Sequence, residues 1–232
     1  MQTSRLPHGL LRFPQLTAAG LAALALGCAR DGRSRAMGGA RVQFDPSAPL
    51  PSEPADGSRG ANSGEVAAKS EVATLAGGCF WGMEELLRGI PGVGETMVGY
   101  TGGTTPNATY DLVKTGESGH AEAVQIVFDP SQVSYEQLLL EFFRMHDPTT
   151  RDQQGNDRGS QYRSAIFYHS AEQKRVAEQV KRRVDESGAW KRSAVTEIVP
   201  AGPFYAAEDY HQDYLQKHPR GYTCHYLRPL AF

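Results

Sequence analysis

The sequence predicts an α/β (α+β) two-layer sandwich of split-βαβ type: a ferredoxin-like mixed sheet with helices against one face, added helices and a coil-rich C-terminal tail. Three observations predict it. From residue 71 onward, strand-type and helix-type segments follow one another as β-α-β, β-α-β and then additions. Two helix starts carry the spacing Ser-x-x-Gln, at Ser134/Gln137 and Ser170/Gln173. The preceding residues read as a short signal and a Gly/Pro/Ser/Ala-rich tether, which assigns the fold to residues 71–232.

The N-terminal part reads as targeting and tether. Arg5 and Arg12 are followed by 17 uncharged residues, Phe13 to Ala29. The Leu/Ala run from Leu16 to Leu26 is short for a membrane span, and Pro14 interrupts its start. A basic arm, a short apolar run and small residues make a secretory signal over residues 1–27; the alternative is an N-terminal helix of a cytosolic protein. Ala25-Leu26-Gly27-Cys28 resembles a bacterial lipoprotein signal, in which Cys28 is lipidated and becomes the new terminus. Such an anchor would hold the protein on the periplasmic or outer side of a membrane without spanning it. Ala23-Leu24-Ala25 offers an ordinary cleavage site instead. From Ala29 to Ser70, 24 of 42 residues are Gly, Pro, Ser or Ala, and Phe44 is the only aromatic. Residues 28–70 therefore read as a disordered tether, which cannot bury enough apolar area to offset its ordering entropy.

The folded elements follow in order. Val72 to Ala76 is a short apolar strand, broken by Gly77-Gly78 before a helix from Phe80 to Arg88. Val93 to Tyr100 reads as a strand closed by Thr101-Gly102-Gly103, and Ala121 to Phe128 alternates before Asp129-Pro130. The first capping signature opens a helix through Met145, with Leu138, Leu139, Phe142 and Met145 at helical spacing. Tyr162 to Tyr168 is strand-like, and the second signature opens a helix faced by Val176, Val180 and Val184. Ala194 to Val199 reads as a strand and Ala206 to Gln216 as a last helix.

Charge excludes one class of partner. The chain has 24 Lys+Arg against 26 Asp+Glu, and residues 71–232 hold 16 against 21. No basic stripe stands out, and Lys181-Arg182-Arg183 falls in a Glu-rich predicted helix, so no nucleic acid is expected.

Chemistry gathers around a thiol. Cys79 follows two glycines at a predicted helix start, where N–H groups and the helix dipole favour an anion; the thiol pKa is expected to fall. A lone buried structural cysteine is the bland alternative. Glu122 shares strand parity with Val124, Ile126 and Phe128, the apolar face. A carboxyl there is expected to hold its proton to near neutral pH and to act as an acid; a shifted register or a strand-end glutamate that reaches solvent is the alternative. Tyr110 and Tyr162 are candidate O–H donors to a developing oxygen charge, or simply core. Phe80 and Trp81 beside the thiol suit a pocket for a methyl-sized group or simply pack the helix onto the sheet, and Asp157 sits in a polar loop, placed to orient a base or to cap a strand.

These residues stand in a family pattern. Gly78-Cys79-Phe80-Trp81-Gly82 resembles the signature pentapeptide of the peptide methionine sulfoxide reductase A family. Gly99-Tyr100-Thr101-Gly102-Gly103, Gly119-His120-Ala121-Glu122, Gly155-Asn156-Asp157, Gln161-Tyr162-Arg163-Ser164 and Ala207-Glu208-Asp209-Tyr210-His211-Gln212 resemble it too, in the family's order. The resemblance covers Glu71 to Arg228 and implies a catalytic domain over residues 71–232. It implies Cys79 as nucleophile, Glu122 as acid, Tyr110 and Tyr162 polarising the sulfoxide oxygen, Asp157 supporting by hydrogen bonds, and Phe80 and Trp81 cradling the substrate methyl. The implied substrate is the S epimer of methionine sulfoxide, free or in proteins, reduced without metal or organic cofactor. Cys79 would pass through a sulfenic acid, and Cys224 in Gly221-Tyr222-Thr223-Cys224-His225 is the resolving candidate. Many relatives carry a further C-terminal cysteine that is missing in the eight residues after Cys224, so a thioredoxin-like dithiol would attack the disulfide directly.

Two other readings compete: a cysteine hydrolase or acyltransferase using His120 or His211 as base, and a tethered binding module without turnover. A zinc module is disfavoured by three scattered cysteines.

Overall fold

The computed structural model describes residues 70–232. The expected signal, Cys28 and all of the tether but Ser70 lie outside the described residues.

The elements are β1 (Glu71–Gly77), α1 (Phe80–Arg88), β2 (Val93–Thr101), α2 (Tyr110–Val113), β3 (Ala121–Phe128), α3 (Tyr135–Met145), β4 (Gln153–Gln154), β5 (Asp157–Arg158), β6 (Ser164–Tyr168), α4 (Ala171–Glu186), β7 (Glu197–Pro200), β8 (Tyr205–Ala206) and α5 (Tyr214–Lys217). Six strands form one sheet in the order β7-β6-β1-β3-β2-β8, and β4 pairs with β5 apart from it. β3 lies between β1 and β2, and β1 lies between β3 and β6, so both β-α-β crossovers are split by a strand of the other. All neighbours are antiparallel except β6 and β7, which makes the sheet mixed, as expected.

One sheet face carries the main core. Ala73 and Leu75 of β1 and Val124, Ile126 and Phe128 of β3 meet Phe80, Met83 and Leu87 of α1, Leu138 and Phe142 of α3, and Val180 of α4. Each fully buried Leu or Phe contributes roughly 1.5–3 kcal/mol against leaving it in water. The residues of opposite parity, Ala76, Ala121 and Ala123, pack with Phe167 in a smaller cluster on the other face.

The capping chemistry holds in different degrees. At α3, Ser134 Oγ accepts from the Gln137 N–H and Gln137 Oε1 accepts from the Ser134 N–H, a complete box. At α4, Ser170 Oγ accepts from the Gln173 N–H, but the Gln173 amide accepts from the His169 N–H and donates to the Val72 carbonyl. That glutamine is spent tying the helix to β1.

Three boundaries differ from the sequence reading. Tyr162 closes a 3-10 turn, Ser160–Tyr162, ahead of β6. The expected strand from Ala194 shrinks to Glu197–Pro200. The expected helix from Ala206 to Gln216 is mostly absent: β8 takes Ala206, and one helical turn forms at Tyr214–Lys217. Side chains of this segment bind distant backbone instead. Glu208 accepts from the Tyr110 N–H, Gln212 both accepts from the Val98 N–H and donates to its carbonyl, and Asp213 is left-handed at φ 54°. Such bonds compete with a continuous helical ladder.

Candidate active site

The first turn after β1 presents the thiol. Gly77 ends β1, Gly78 adopts φ +106°, and Cys79 is the N-cap of α1. Only glycine takes that φ without strain, so the chain reverses with no side chain above the sulfur. Cys79 is 6% exposed, and with Phe80, Trp81, Tyr110, Glu122, Asp157, Tyr162 and Tyr222 it lines a cavity of about 100 Å³. The structure thus brings together all the expected residues of the sulfoxide-reacting centre. A larger cavity of about 720 Å³ lies at the other end of β1, against Glu71, Tyr135 and His169, far from either thiol.

Glu122 stands on β3 opposite Tyr100 of β2, on the core face that its parity predicts, and is 3% exposed. Its Oε2 accepts from the Phe80 N–H at 3.1 Å. Burial pushes its pKa up to about 8; the Phe80 bond opposes this and the Asp157 carboxylate adds to it. At neutral pH the group is therefore mostly a neutral acid with a proton to give.

The thiol departs from expectation. The helix start does help, since the Trp81 N–H bonds to the sulfur and favours the thiolate. Burial outweighs it, and the Glu122 carboxylate, when ionised, opposes a second negative charge, so the Cys79 pKa is raised rather than lowered. One N–H and part of a helix dipole cannot replace the water that 94% burial removes. Cys79 therefore rests as a thiol at neutral pH.

The cavity walls are tied to the rest of the fold. Trp81 Nε1–H donates to His211 Nδ1 at 3.1 Å, and its ring stacks on Tyr214 at 3.8 Å. Phe80, 1% exposed, leans on Tyr100 and His211. Glu208 accepts from Tyr100 Oη and from the Tyr110 N–H, which fixes the start of α2 and with it Tyr110. Tyr110 and Tyr162 both have raised pKa values, chiefly from burial and then from Glu122, so they remain O–H donors at any ordinary pH.

Asp157 faces the C-terminal tail. Its Oδ1 accepts from Tyr222 Oη at 3.1 Å, and its Oδ2 accepts from Cys224 Sγ at 3.4 Å. Both Cys79 and Cys224 are free thiols, and Asp157 lines the cavity of one while holding the other. The sequence gives no role at this site to Tyr222 or Glu208, and it offers His211 as a base, whereas the ring is held against Trp81 as an anchor of the cavity wall. Tyr222 sits two residues before Cys224, and Glu208 and His211 stand in one of the matched blocks, so proximity to motif residues was the available signal.

Comparison with known proteins agrees with this geometry. The family model described as peptide methionine sulfoxide reductase matches residues 71–231. The peptide methionine sulfoxide reductase MsrA of Mycolicibacterium paratuberculosis is 58% identical over 160 residues, 69% of this chain and 91% of that protein. The MsrA of Streptomyces coelicolor is 57% identical over 164 residues, 71% of this chain and 93% of that one. Among solved structures, methionine sulfoxide reductase A of Corynebacterium diphtheriae superposes with TM-score 0.64 at 40% identity, covering 70% of this chain and 81% of its own. Mxr1 from Saccharomyces cerevisiae in reduced form gives TM-score 0.65 at 39% identity, covering 70% and 94%. With relatives above half identity across the domain that holds the thiol and the acid, this chain is an oxidoreductase that reduces methionine sulfoxide, and it belongs to the peptide methionine sulfoxide reductase A family.

Proposed function

We propose that Cys79 is the nucleophile, Glu122 the acid and Cys224 the resolving thiol in reduction of the S epimer of methionine sulfoxide, free or in oxidised proteins. One observation carries the reading: Glu122, with a pKa of about 8, lines the same cavity as the Cys79 thiol. The Cys79 sulfur attacks the sulfoxide sulfur while Glu122 gives a proton to the oxygen. The proton that Cys79 loses replaces it, so a thiol and a sulfoxide become a sulfenic acid and methionine. Tyr110 and Tyr162 donate to the same oxygen as its charge develops. Phe80 and Trp81 offer apolar surface to the S-methyl group, whose size a cavity of about 100 Å³ suits. The choice of the S epimer rests on family membership.

Cys224 then displaces the oxygen as water, leaving a Cys79–Cys224 disulfide. Asp157, in contact with Cys224 and in the wall around Cys79, supports this pairing. Cys224 is half-buried beside exposed Tyr222 and Tyr226, which suits attack by an external thioredoxin-like dithiol. Export and lipidation of Cys28 are supported by the sequence pattern of residues 1–28. The mass of the mature N-terminus decides between diacylglycerol on Cys28, a cut after Ala25, and no cut.

Turnover of each sulfoxide epimer with dithiothreitol tests the reaction. Only the S epimer is expected to be consumed. Wild-type rates in both Cys79→Ser and Glu122→Gln would refute the assignment of these residues.

A further inference from the structure

The residue after Cys224 is held by the turn that carries Cys79. His225 is 7% exposed, and its Nε2 lies 2.8 Å from the carbonyl oxygen of Gly77. A carbonyl only accepts, so Nε2 carries the hydrogen and Nδ1 keeps its lone pair. That Nδ1 lies 3.5 Å from Cys224 Sγ. The His225 N–H donates to Thr223 Oγ1 at 3.1 Å, closing a tight turn over the thiol.

The space for this ring comes from the glycines that bracket Cys79-Phe80-Trp81. A Cβ on Gly82 would sit 2.8 Å from His225 Nδ1, and one on Gly78 would sit 3.2 Å from Nε2. Gly82 thus makes room for Thr223 and His225 from the far end of the domain, and Gly78 makes room first for Gln154 and then for the same ring.

We infer that His225 anchors the resolving cysteine to the nucleophile's turn and takes the proton from Cys224 as that thiol attacks oxidised Cys79. The inference rests on the reading of Cys224 as the resolving thiol. In the step, a Cys224–Cys79 S–S bond forms and the S–O bond of the sulfenic acid breaks. The oxygen leaves as water with a proton from Glu122, and the Cys224 proton moves to Nδ1. Cys224 is oxidised, the Cys79 sulfur is reduced by the same electron pair, and no outside oxidant is needed. The imidazolium and Glu122 then exchange protons with solvent.

A base is needed here. Burial, and next the Asp157 carboxylate, push the Cys224 thiol up to about 11, so roughly one in ten thousand is ionised at pH 7. Asp157 accepts the same S–H but, being negative, works against the thiolate. A neutral imidazole becomes positive on taking the proton and so stabilises the thiolate it creates. The groups facing His225 are Cys224 and Arg228 from its own segment, Asp157 from β5, and His146 after α3. Burial dominates, and His225 titrates below an ordinary histidine, neutral at pH 7.

The test follows disulfide formation after a single sulfoxide turnover, by rapid quench, thiol alkylation and mass analysis. His225→Gln keeps a donor for Gly77 and replaces the basic ring nitrogen facing the sulfur with an amide oxygen, which accepts a hydrogen bond but does not take the proton. Relative to the methionine burst in the same sample, its disulfide step should slow at least tenfold. Its rate should climb about tenfold per pH unit from about 6 to about 7.5, following thiolate while Glu122 still holds its proton, whereas wild type is flat there above the histidine pKa. A wild-type rate and pH profile in His225→Gln would overturn the inference. If thioredoxin-driven turnover of Cys224→Ser matched wild type, the resolving role itself would fail, and the proposal with it. Should His225→Gln not fold, nitrogen NMR of the wild-type ring decides: an Nε2–H tautomer supports the proposal and an Nδ1–H tautomer overturns it.

Discussion

The Phe80 N–H donates to Glu122 Oε2 at 3.1 Å, tying the acid on β3 to the first residue after the thiol. The bond sets the position of the acid relative to the start of α1, where the thiol sits. The bond occupies one carboxyl oxygen and leaves the other to hold the transferable proton.

Glu122→Gln should cost about 10²- to 10⁴-fold in sulfoxide reduction, the usual contribution of a positioned acid. It should also stabilise the fold. The Glu122 pKa rises from an ordinary 4.5 unfolded to about 8 folded. Between these values the unfolded chain binds fewer protons, so Glu122 makes the wild type lose stability as pH rises from 4.5 to 8. Above 8 the loss is complete. The variant escapes this, and the gap should grow across that window to on the order of 4 kcal/mol. Denaturant unfolding of both proteins at pH 4.5, 6.5 and 8.5 measures it; a gap that shrinks with pH would contradict the assignment.

The methionine burst in wild type should fall as pH rises through about 8, because the competent form of Glu122 is the protonated one. Single-turnover rates from pH 6 to 9.5 show this directly. A burst that keeps rising through pH 8 would mean that thiol ionisation, not the acid, controls the step.

Alkylation of Cys79 by iodoacetamide at pH 7 should be slower than that of free cysteine, since burial and Glu122 raise its pKa. Mass analysis of the peptide containing Cys79 against time provides the rate. Fast labelling at pH 7 would restore the low-pKa thiolate expected from the helix start.

Gly82→Ala should loosen the C-terminal tail, because its Cβ would press on Thr223 and the His225 ring. Overpacking of this kind costs roughly 1–3 kcal/mol. Faster proteolysis around residues 221–226 together with a lower Tm is the expected result.

Cys224→Ser should release about one methionine per enzyme and then stall when thioredoxin is the reductant. Unimpaired thioredoxin-driven turnover would remove Cys224 from the mechanism.

Much of this was legible in the chain. Local spacing located the Cys79 turn, α1, α3 and α4, because caps, glycines and apolar periodicity act over a few residues. Strand parity put Glu122 on the core face for the same reason. Tertiary structure alone decided the strand order, the loss of the helix expected after Ala206, and the partners of Asp157. Each depends on groups tens of residues apart, such as Glu208 with Tyr110 or Asp157 with Cys224. It also decided the state of the thiol. The helix-start N–H is visible in sequence, but the burial and the facing carboxylate that overcome it arise only when β3 is laid beside β1.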